Sequence, residues 1–350
     1  MITLITEDDD SVALVGEASA ETLLVDAVEF AAATGWLLKP EGLCRGDVCI
    51  PRSLWPDMEA HGRIDLSLFA AAVSQPVVVD PASAIVAIGT SAITRHRALE
   101  SLDAPQFTAD GLDGEPIALS DYAGRKKVIV TFASWCGCRH DLPGWQELHE
   151  ELEPKGLRLI AVAVDEEVDD ARPWVEEANA TFPVVLDRDH VVCEAFDIRN
   201  VPTVVWIDEN DRIVRPNDVA FGTDIFKEFH GVDSSPHHEA LRRWVIDDEL
   251  PMTGEEVHQH QIFPTDDEQL ARLHFRVALE LRRRDDPGAA RHFERAGELA
   301  PNDFTVRRAA MPLQGIDPFL SEEFIALWEE YKERGGYNEN YGFEHAPPPT

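Results

Sequence analysis

The stretch that decides the fold is Val128-Ile-Val-Thr-Phe-Ala133, then Ser134, then Trp135-Cys136-Gly137-Cys138-Arg139-His140-Asp141-Leu142-Pro143. Six apolar or β-branched residues in a row read as a strand buried on both faces. The strand delivers two cysteines, one residue apart, to what the pattern predicts is the first turn of a helix over Leu142–Leu152. Backbone N–H groups and the positive end of a helix lower the pKa of a thiol placed there. The motif therefore points to a thiolate nucleophile at Cys136.

Working outward, strands alternate with helices. Strands are expected at Leu157–Val164 and Val184–Leu186, with helices near Ala171–Ala178, Val191–Phe196 and Glu239–Val245. Val201-Pro-Thr-Val-Val-Trp-Ile-Asp208 and Arg212–Arg215 read as a hairpin around Glu209-Asn-Asp211. Upstream lie Ala104-Pro-Gln-Phe107 and Leu112 to Gly124. Near-continuous apolar strands between helices imply a sheet covered on both faces.

The segment resembles thioredoxin-like proteins, and in particular the TlpA-like redoxins of the AhpC-TSA superfamily, whose site reads Trp-Cys-x-x-Cys-Arg-x-Glu-x-Pro. Ala104–Phe107 with Leu112–Gly124 resembles the family's lead-in, which implies a hairpin before the first central strand; between the cysteines one residue is missing here. Cys138 keeps the family's five-residue spacing to the proline, Pro143, so the deletion falls inside the pair. The resemblance implies that Cys136 is the nucleophile, Cys138 the resolving thiol and Trp135 the aromatic wall. Arg139 and Asp141 match the family's arginine and acid. Val201-Pro202-Thr203 matches the loop whose cis-proline lies beside the active site, where the Val201 backbone is placed to pair with a substrate strand. The family's buried acid on the preceding strand is Val130 here, so Asp141 or His140 is expected to relay protons instead. Gly137 completes the Cys-x-Cys turn. Its smaller disulfide ring is expected to be strained, which places the couple toward the oxidising end.

The implied activity is thiol–disulfide exchange on protein or small-molecule disulfides, reset by an external thiol reductant or oxidant, with the dithiol itself in place of an organic cofactor. Two alternatives share the scaffold. A thiol peroxidase, with an antioxidant role, is disfavoured because the threonine that peroxiredoxins carry three places before the nucleophile is Ala133 here. A copper- or zinc-binding protein would use the soft ligands Cys136 and Cys138 with His140.

Composition bounds the rest. The chain has 350 residues, 31 Lys plus Arg against 66 Asp plus Glu, and a formal charge of −35. Such a surface repels phosphate backbones, so no nucleic-acid partner is expected. No stretch of about twenty apolar residues is present, so no membrane span is expected. The first ten residues lack a basic and apolar leader, and the reading is cytoplasmic. In that compartment the five cysteines are not expected to form a disulfide framework. Cys44-Arg-Gly-Asp-Val-Cys49 reads as two structural thiols, with a redox relay to Cys136 or half a metal site as lesser readings, and Cys193 as core.

The expected organisation is a small α/β domain over 1–98, containing a hairpin at Pro76–Val79 and Ala84–Ile88. A thioredoxin-like domain follows over 99–250. A helical extension over 262–335 carries one tetratricopeptide-like unit (Ala289, Phe293, Ala296, Pro301), either as a cap on the redox domain or as a peptide-docking surface. A tail over 336–350 is expected to be mobile. Phe221, Phe226, Phe229 and His230 are expected to line or lid the site.

Overall fold

The computed structural model describes residues 1–7, 11–19, 22–319 and 321–334. The tail expected over 336–350 lies outside the described residues. Two compact units are present: Met1–Thr94 with Thr265–Ala300, and Arg95–Pro264 with the chain from Pro301 onward.

The second unit is built on a five-stranded mixed sheet. Its strands are β1 (Lys126–Phe132), β2 (Leu157–Ala163), β3 (Val184–Leu186), β4 (Val204–Ile207) and β5 (Ile213–Asp218), in the order β3-β2-β1-β4-β5. β1 pairs in parallel with β2, with Val128 opposite Leu159, and β2 pairs in parallel with β3. β4 returns antiparallel to β1, with Val130 opposite Val204, and β5 follows it antiparallel. Every residue of β1 is buried, the result expected when helices cover both faces. The lead-in hairpin is present as Thr108–Asp110 paired with Pro116–Ala118. This sheet, with a cis Val201–Pro202 bond ahead of β4, is the thioredoxin-like fold.

Helix α1 (Leu142–Leu152) presents Leu142, Trp145, Leu148 and Leu152 to the core at helical spacing. The cysteines do not lie on it. Cys136 caps a 3-10 turn over Gly137–Asp141, and the α-helix starts only at Leu142, with Pro143 in its first turn. The cause is Pro143: with no N–H it cannot donate to the carbonyl four residues back, so the α-helical ladder cannot run unbroken through the Cys-x-Cys segment. Pro143 therefore starts a helix and does not kink one. Gly144 lets a loop come close, because a Cβ there would lie 1.8 Å from the Gly222 carbonyl oxygen. Helices α2 (Val168–Glu177), α3 (Val191–Ala195) and α4 (Ser235–Asp247) complete the covering layers; Trp244 of α4 stacks on Trp206 of β4 at 5.0 Å. Cys193 on α3 is core, fully buried.

The same unit contains α5 (Phe304–Leu313) and α6 (Glu322–Glu333). They pack together through Phe304, Met311, Phe324, Leu327 and Tyr331. The start of α5 is tied to the loop ahead of the cis-proline: the Phe304 N–H donates to Arg199 O at 2.7 Å and the Thr305 hydroxyl donates to Ile198 O at 3.3 Å.

The first unit holds three small sheets around a core that includes Leu4, Leu23, Phe30, Trp36, Ile64 and Phe69. The expected hairpin is present as Val77–Asp80 against Ile85–Ile88, with Val79 opposite Val86. Helices Asp266–Arg283 and Ala289–Leu299 form a pair in this unit, joined in part by Phe275 against Phe293 at 5.7 Å. The helical residues 262–335, expected as one extension, are thus divided between the units near Pro301. The reason lies in the first helix: a Cβ on Gly89 would meet the Leu273 side chain at 2.9 Å, so the helix seats directly against the chain that follows strand Ile85–Ile88. No helix among the described residues is long and apolar enough to cross a membrane.

Candidate active site around Cys136

The carboxyl end of β1 and the cis-proline loop bring the expected residues together. The Cys136 sulfur lies 3.4 Å from the Val201 carbonyl oxygen, to which it donates when protonated. The Cys138 N–H donates to Cys136 Sγ at 3.4 Å. The loop is fixed from β1: Thr203 N donates to Thr131 Oγ1 at 2.8 Å, and that hydroxyl donates back to Thr203 O at 3.2 Å. The Thr203 hydroxyl in turn donates to Asn200 O at 2.8 Å.

The cysteine turn is clamped from β2. Asp165 accepts from Ser134 N at 3.0 Å and from the Ser134 hydroxyl at 2.6 Å. Trp135 donates its indole N–H to Val164 O at 3.1 Å. Arg139 donates to Ser134 O at 2.8 Å and Cys136 O at 3.2 Å, with its guanidinium 4.5 Å from the Trp174 ring. These bonds replace the α-helical ladder that the segment lacks.

Both sulfurs are reduced and nearly covered, Cys136 at 5% exposure and Cys138 at 4%. The cover has three parts. A Cβ on Gly137 would lie 3.0 Å from the Phe226 ring and 3.3 Å from Phe319, so any larger residue there strikes the roof. Arg308 of α5 is the third part. Its Nη1 donates to Cys136 Sγ at 3.6 Å, its Nη2 to Trp135 O at 3.5 Å, and its Nε to Pro318 O at 2.8 Å.

The electrostatics separate the two thiols. Burial pushes the Cys136 pKa up, but the Cys138 thiol, the Arg308 charge and the Cys138 N–H bring it down to about 6. For Cys138, burial and the neighbouring Cys136 both push the pKa well above the ordinary thiol value. The pair's proton therefore stays on Cys138. Burial raises Asp141 to about 7, against two bonds from Thr223, its N–H and hydroxyl each at 2.8 Å. The other Asp141 oxygen is buried without a hydrogen-bond partner, and its negative charge is among the causes that raise Cys138. Burial likewise raises Asp165 to about 7, against the Ser134 bonds.

Other expected residues fall elsewhere. His140 lies edge-on to Trp174, with ring centroids 5.2 Å apart, and near Phe226 at 6.0 Å; burial and then Arg139 lower its pKa. Of the four residues expected to line or lid the site, only Phe226 does so. Phe221 stacks on His230 at 3.7 Å, and Phe229 on Trp328 at 5.4 Å. Val201 does not offer a free edge to a substrate strand: it is buried, its carbonyl faces Cys136, and its N–H is held by the Asn200 side chain.

Cys44 and Cys49 are joined by a disulfide, contrary to the expectation of two separate thiols. They sit directly opposite each other on the hairpin Gly42–Arg45 and Val48–Pro51, with Cα atoms 4.0 Å apart, and antiparallel pairing itself presents one side chain to the other. Their sulfurs and Glu41 form the one group among the described residues whose ligand atoms lie within 4.8 Å of one another. Cys136, Cys138 and His140 do not converge in that way.

Sequence reasoning missed Arg308, Asp165 and Phe319. Asp165 had a signal, an acid one residue past the end of an apolar strand. Arg308 had none, since nothing in its helix indicates what it faces.

The chain is similar to known proteins over part of its length. Residues 101–215 match the model of the AhpC/TSA family. The thiol-disulfide oxidoreductase ResA of Geobacillus thermodenitrificans is 31% identical over 111 residues, which are 31% of this chain and 64% of that protein. ResA of Bacillus subtilis is 29% identical over 117 residues, 33% of this chain and 65% of that protein. The chain thus spans just under two thirds of the length of these relatives. Among solved structures, the thioredoxin domain of a thiol-disulfide oxidoreductase from Bacteroides vulgatus is 24% identical. It covers 37% of this chain and 93% of its own, with a TM-score of 0.32.

Proposed function

We propose that residues 101–215, which match the AhpC/TSA family model, form a redoxin domain and that the protein is a thiol–disulfide oxidoreductase. The observation that carries the reading is the division of labour in the pair: Cys136 is acidic and faces the cis-proline loop, while Cys138 keeps its proton behind it. The Cys136 thiolate attacks one sulfur of a substrate disulfide, forming a mixed disulfide and expelling the other sulfur as a thiolate. Cys138 then loses its proton and attacks Cys136 Sγ. A Cys136–Cys138 disulfide forms, the second substrate thiolate leaves, and two electrons have passed to the substrate. An external dithiol resets the pair by the same exchange.

Asp141 is the base that receives the Cys138 proton. A carboxyl with a pKa of about 7 is matched to such a transfer near neutral pH. His140 stands against aromatic rings and is not required. An acidic Cys136 also stabilises the reduced form: each tenfold gain in acidity is about 1.4 kcal/mol, or ~30 mV for a two-electron couple. The couple therefore lies toward the oxidising end, as the shortened motif suggests, which favours the same exchange run in reverse, the Cys136–Cys138 disulfide passing to a substrate dithiol. The electrons are carried by the dithiol, with no organic cofactor, and the substrates are disulfides of proteins or small molecules.

The test is reduction of a model protein disulfide and of a small disulfide by wild type, Cys136→Ser and Cys138→Ser, with mass spectrometry of trapped adducts. The reading requires that Cys136→Ser abolish turnover and that Cys138→Ser accumulate the mixed disulfide. Turnover unaffected by Cys136→Ser ends it.

A second reading, reduction of hydroperoxides, draws on the burial of Cys136, which a small oxidant reaches more readily than a polypeptide. Against it, Thr131 is engaged with Thr203 and Ala133 has no hydroxyl. Stopped-flow peroxide consumption decides between the two.

A further inference from the structure

The redoxin domain does not by itself account for which of its two sulfurs carries the charge. Both are buried, both lie beside the same turn, and each is near an acid. Two of the groups that favour a negative Cys136 belong to Cys138 itself, its thiol and its N–H; the one that carries a charge comes from outside the segment 101–215. We infer that Arg308, on helix α5, is a catalytic residue that holds Cys136 as the thiolate and so selects it over Cys138 as the nucleophile. The inference rests on the proposed role of Cys136 and deepens it.

Four observations support the assignment. Arg308 Nη1 touches the reacting atom, at 3.6 Å from Sγ. The guanidinium is not free to swing: Nε is held by Pro318 O at 2.8 Å and Nη2 by Trp135 O at 3.5 Å. It lies 4.3 Å from the Phe324 ring centroid and 5.4 Å from that of Trp135, and the residue is 6% exposed. A guanidinium buried in that way costs free energy unless an anion faces it. Finally, α5 is fixed to the loop that also presents Val201 to the sulfur, through Phe304 N and Thr305 Oγ1 on Arg199 and Ile198. The helix and the cis-proline thus meet Cys136 from one rigid loop.

The other charged or titratable groups about the sulfur do not substitute for it. Asp141 and Asp165 disfavour a negative sulfur, and Cys138 is a neutral donor. Arg139 spends its Nη1 on the Ser134 and Cys136 carbonyls. Arg308 is therefore the cation that directs charge to Cys136, since an opposite charge at this range moves a titration by one to three pH units.

The experiment follows alkylation of the reduced full-length protein by iodoacetamide as a function of pH. Mass spectrometry reads out which cysteine is labelled in wild type, Arg308→Gln and Arg308→Lys. The expected result is that Arg308→Gln moves the Cys136 midpoint upward by about one pH unit. The labelling rate at pH 5, below both midpoints, falls about tenfold, preference for Cys136 over Cys138 shrinks, and Arg308→Lys lies between. A folded Arg308→Gln protein with the wild-type profile overturns the inference. If that variant does not fold, the wild type decides: the Arg308 guanidinium NMR signals must shift with the Cys136 midpoint, and the shift must vanish in Cys136→Ser. Signals that stay still through that titration overturn it equally. The two readings fail separately. Loss of disulfide exchange in wild type, with the Arg308-dependent profile intact, removes the oxidoreductase and leaves the charge pair. Active exchange with an Arg308-independent profile does the reverse.

Discussion

Two cysteine pairs occur in this chain at short spacing, and the backbone gives them opposite fates. Cys44 and Cys49 face each other across a hairpin and are bonded. Cys136 and Cys138 follow each other along a 3-10 turn and are free, with an arginine on one sulfur and the proton on the other. The difference teaches that proximity in sequence does not decide cysteine chemistry. A hairpin register fixes both partners and closes the bond. A turn clamped through Ser134, Trp135 and Arg139 holds one sulfur toward a cis-proline and a cation, and leaves it unbonded.

The largest expected effect separates the pairs by activity. Cys136→Ser should lower disulfide exchange by at least about a thousandfold, since the nucleophile itself is lost. Cys44→Ser with Cys49→Ser should leave the same assay unchanged. Turnover that follows the hairpin pair would collapse the distinction.

Stability measurements sharpen it further. Gly144→Ala drives a methyl group into the Gly222 backbone, beside the loop that holds Asp141. It should cost about 3 kcal/mol in urea unfolding while leaving the hairpin disulfide intact by mass. Replacing both hairpin cysteines by alanine should cost less, about 2 kcal/mol for a loop this short. That loss should appear in the unfolding of the first unit alone, followed by amide exchange.

The smallest effect, taken per pH unit, is a pH dependence peculiar to the Cys136 turn. Asp141 and Asp165 titrate at about 7 when folded, against 3.8 in the unfolded chain. Between these values the native state binds more protons, so stability falls as pH rises from about 4 to about 7. Asp141→Asn keeps an acceptor for Thr223 and should flatten that slope by up to about 1.4 kcal/mol per pH unit. An unchanged slope in urea titrations at pH 4, 5.5 and 7 would show that Asp141 is not the buried acid.

Much of the unit built on the five-stranded sheet could be read beforehand because its signals are local. The run Val128–Ala133 and the alternation after it have the periods of buried strands and helices, and Val201-Pro202-Thr203 is a short motif. The cysteine turn was read one step too regular, because the N–H missing at Pro143 acts back on residues before it. The hairpin disulfide depended on a register that no single strand encodes. Arg308 belongs to a different class again. It reaches Cys136 across 172 residues of chain, and no periodicity carries that information.

The phenyl ring of Phe319 has a consequence for binding. It lies beside Gly137 in the cover over the cysteine turn, so a substrate that approaches Cys136 from that side competes with part of the protein itself. Its apparent affinity is lowered in proportion to the fraction of molecules in which the ring has moved aside. Trimming that ring to alanine would therefore tighten capture of bulky disulfides more than of small ones.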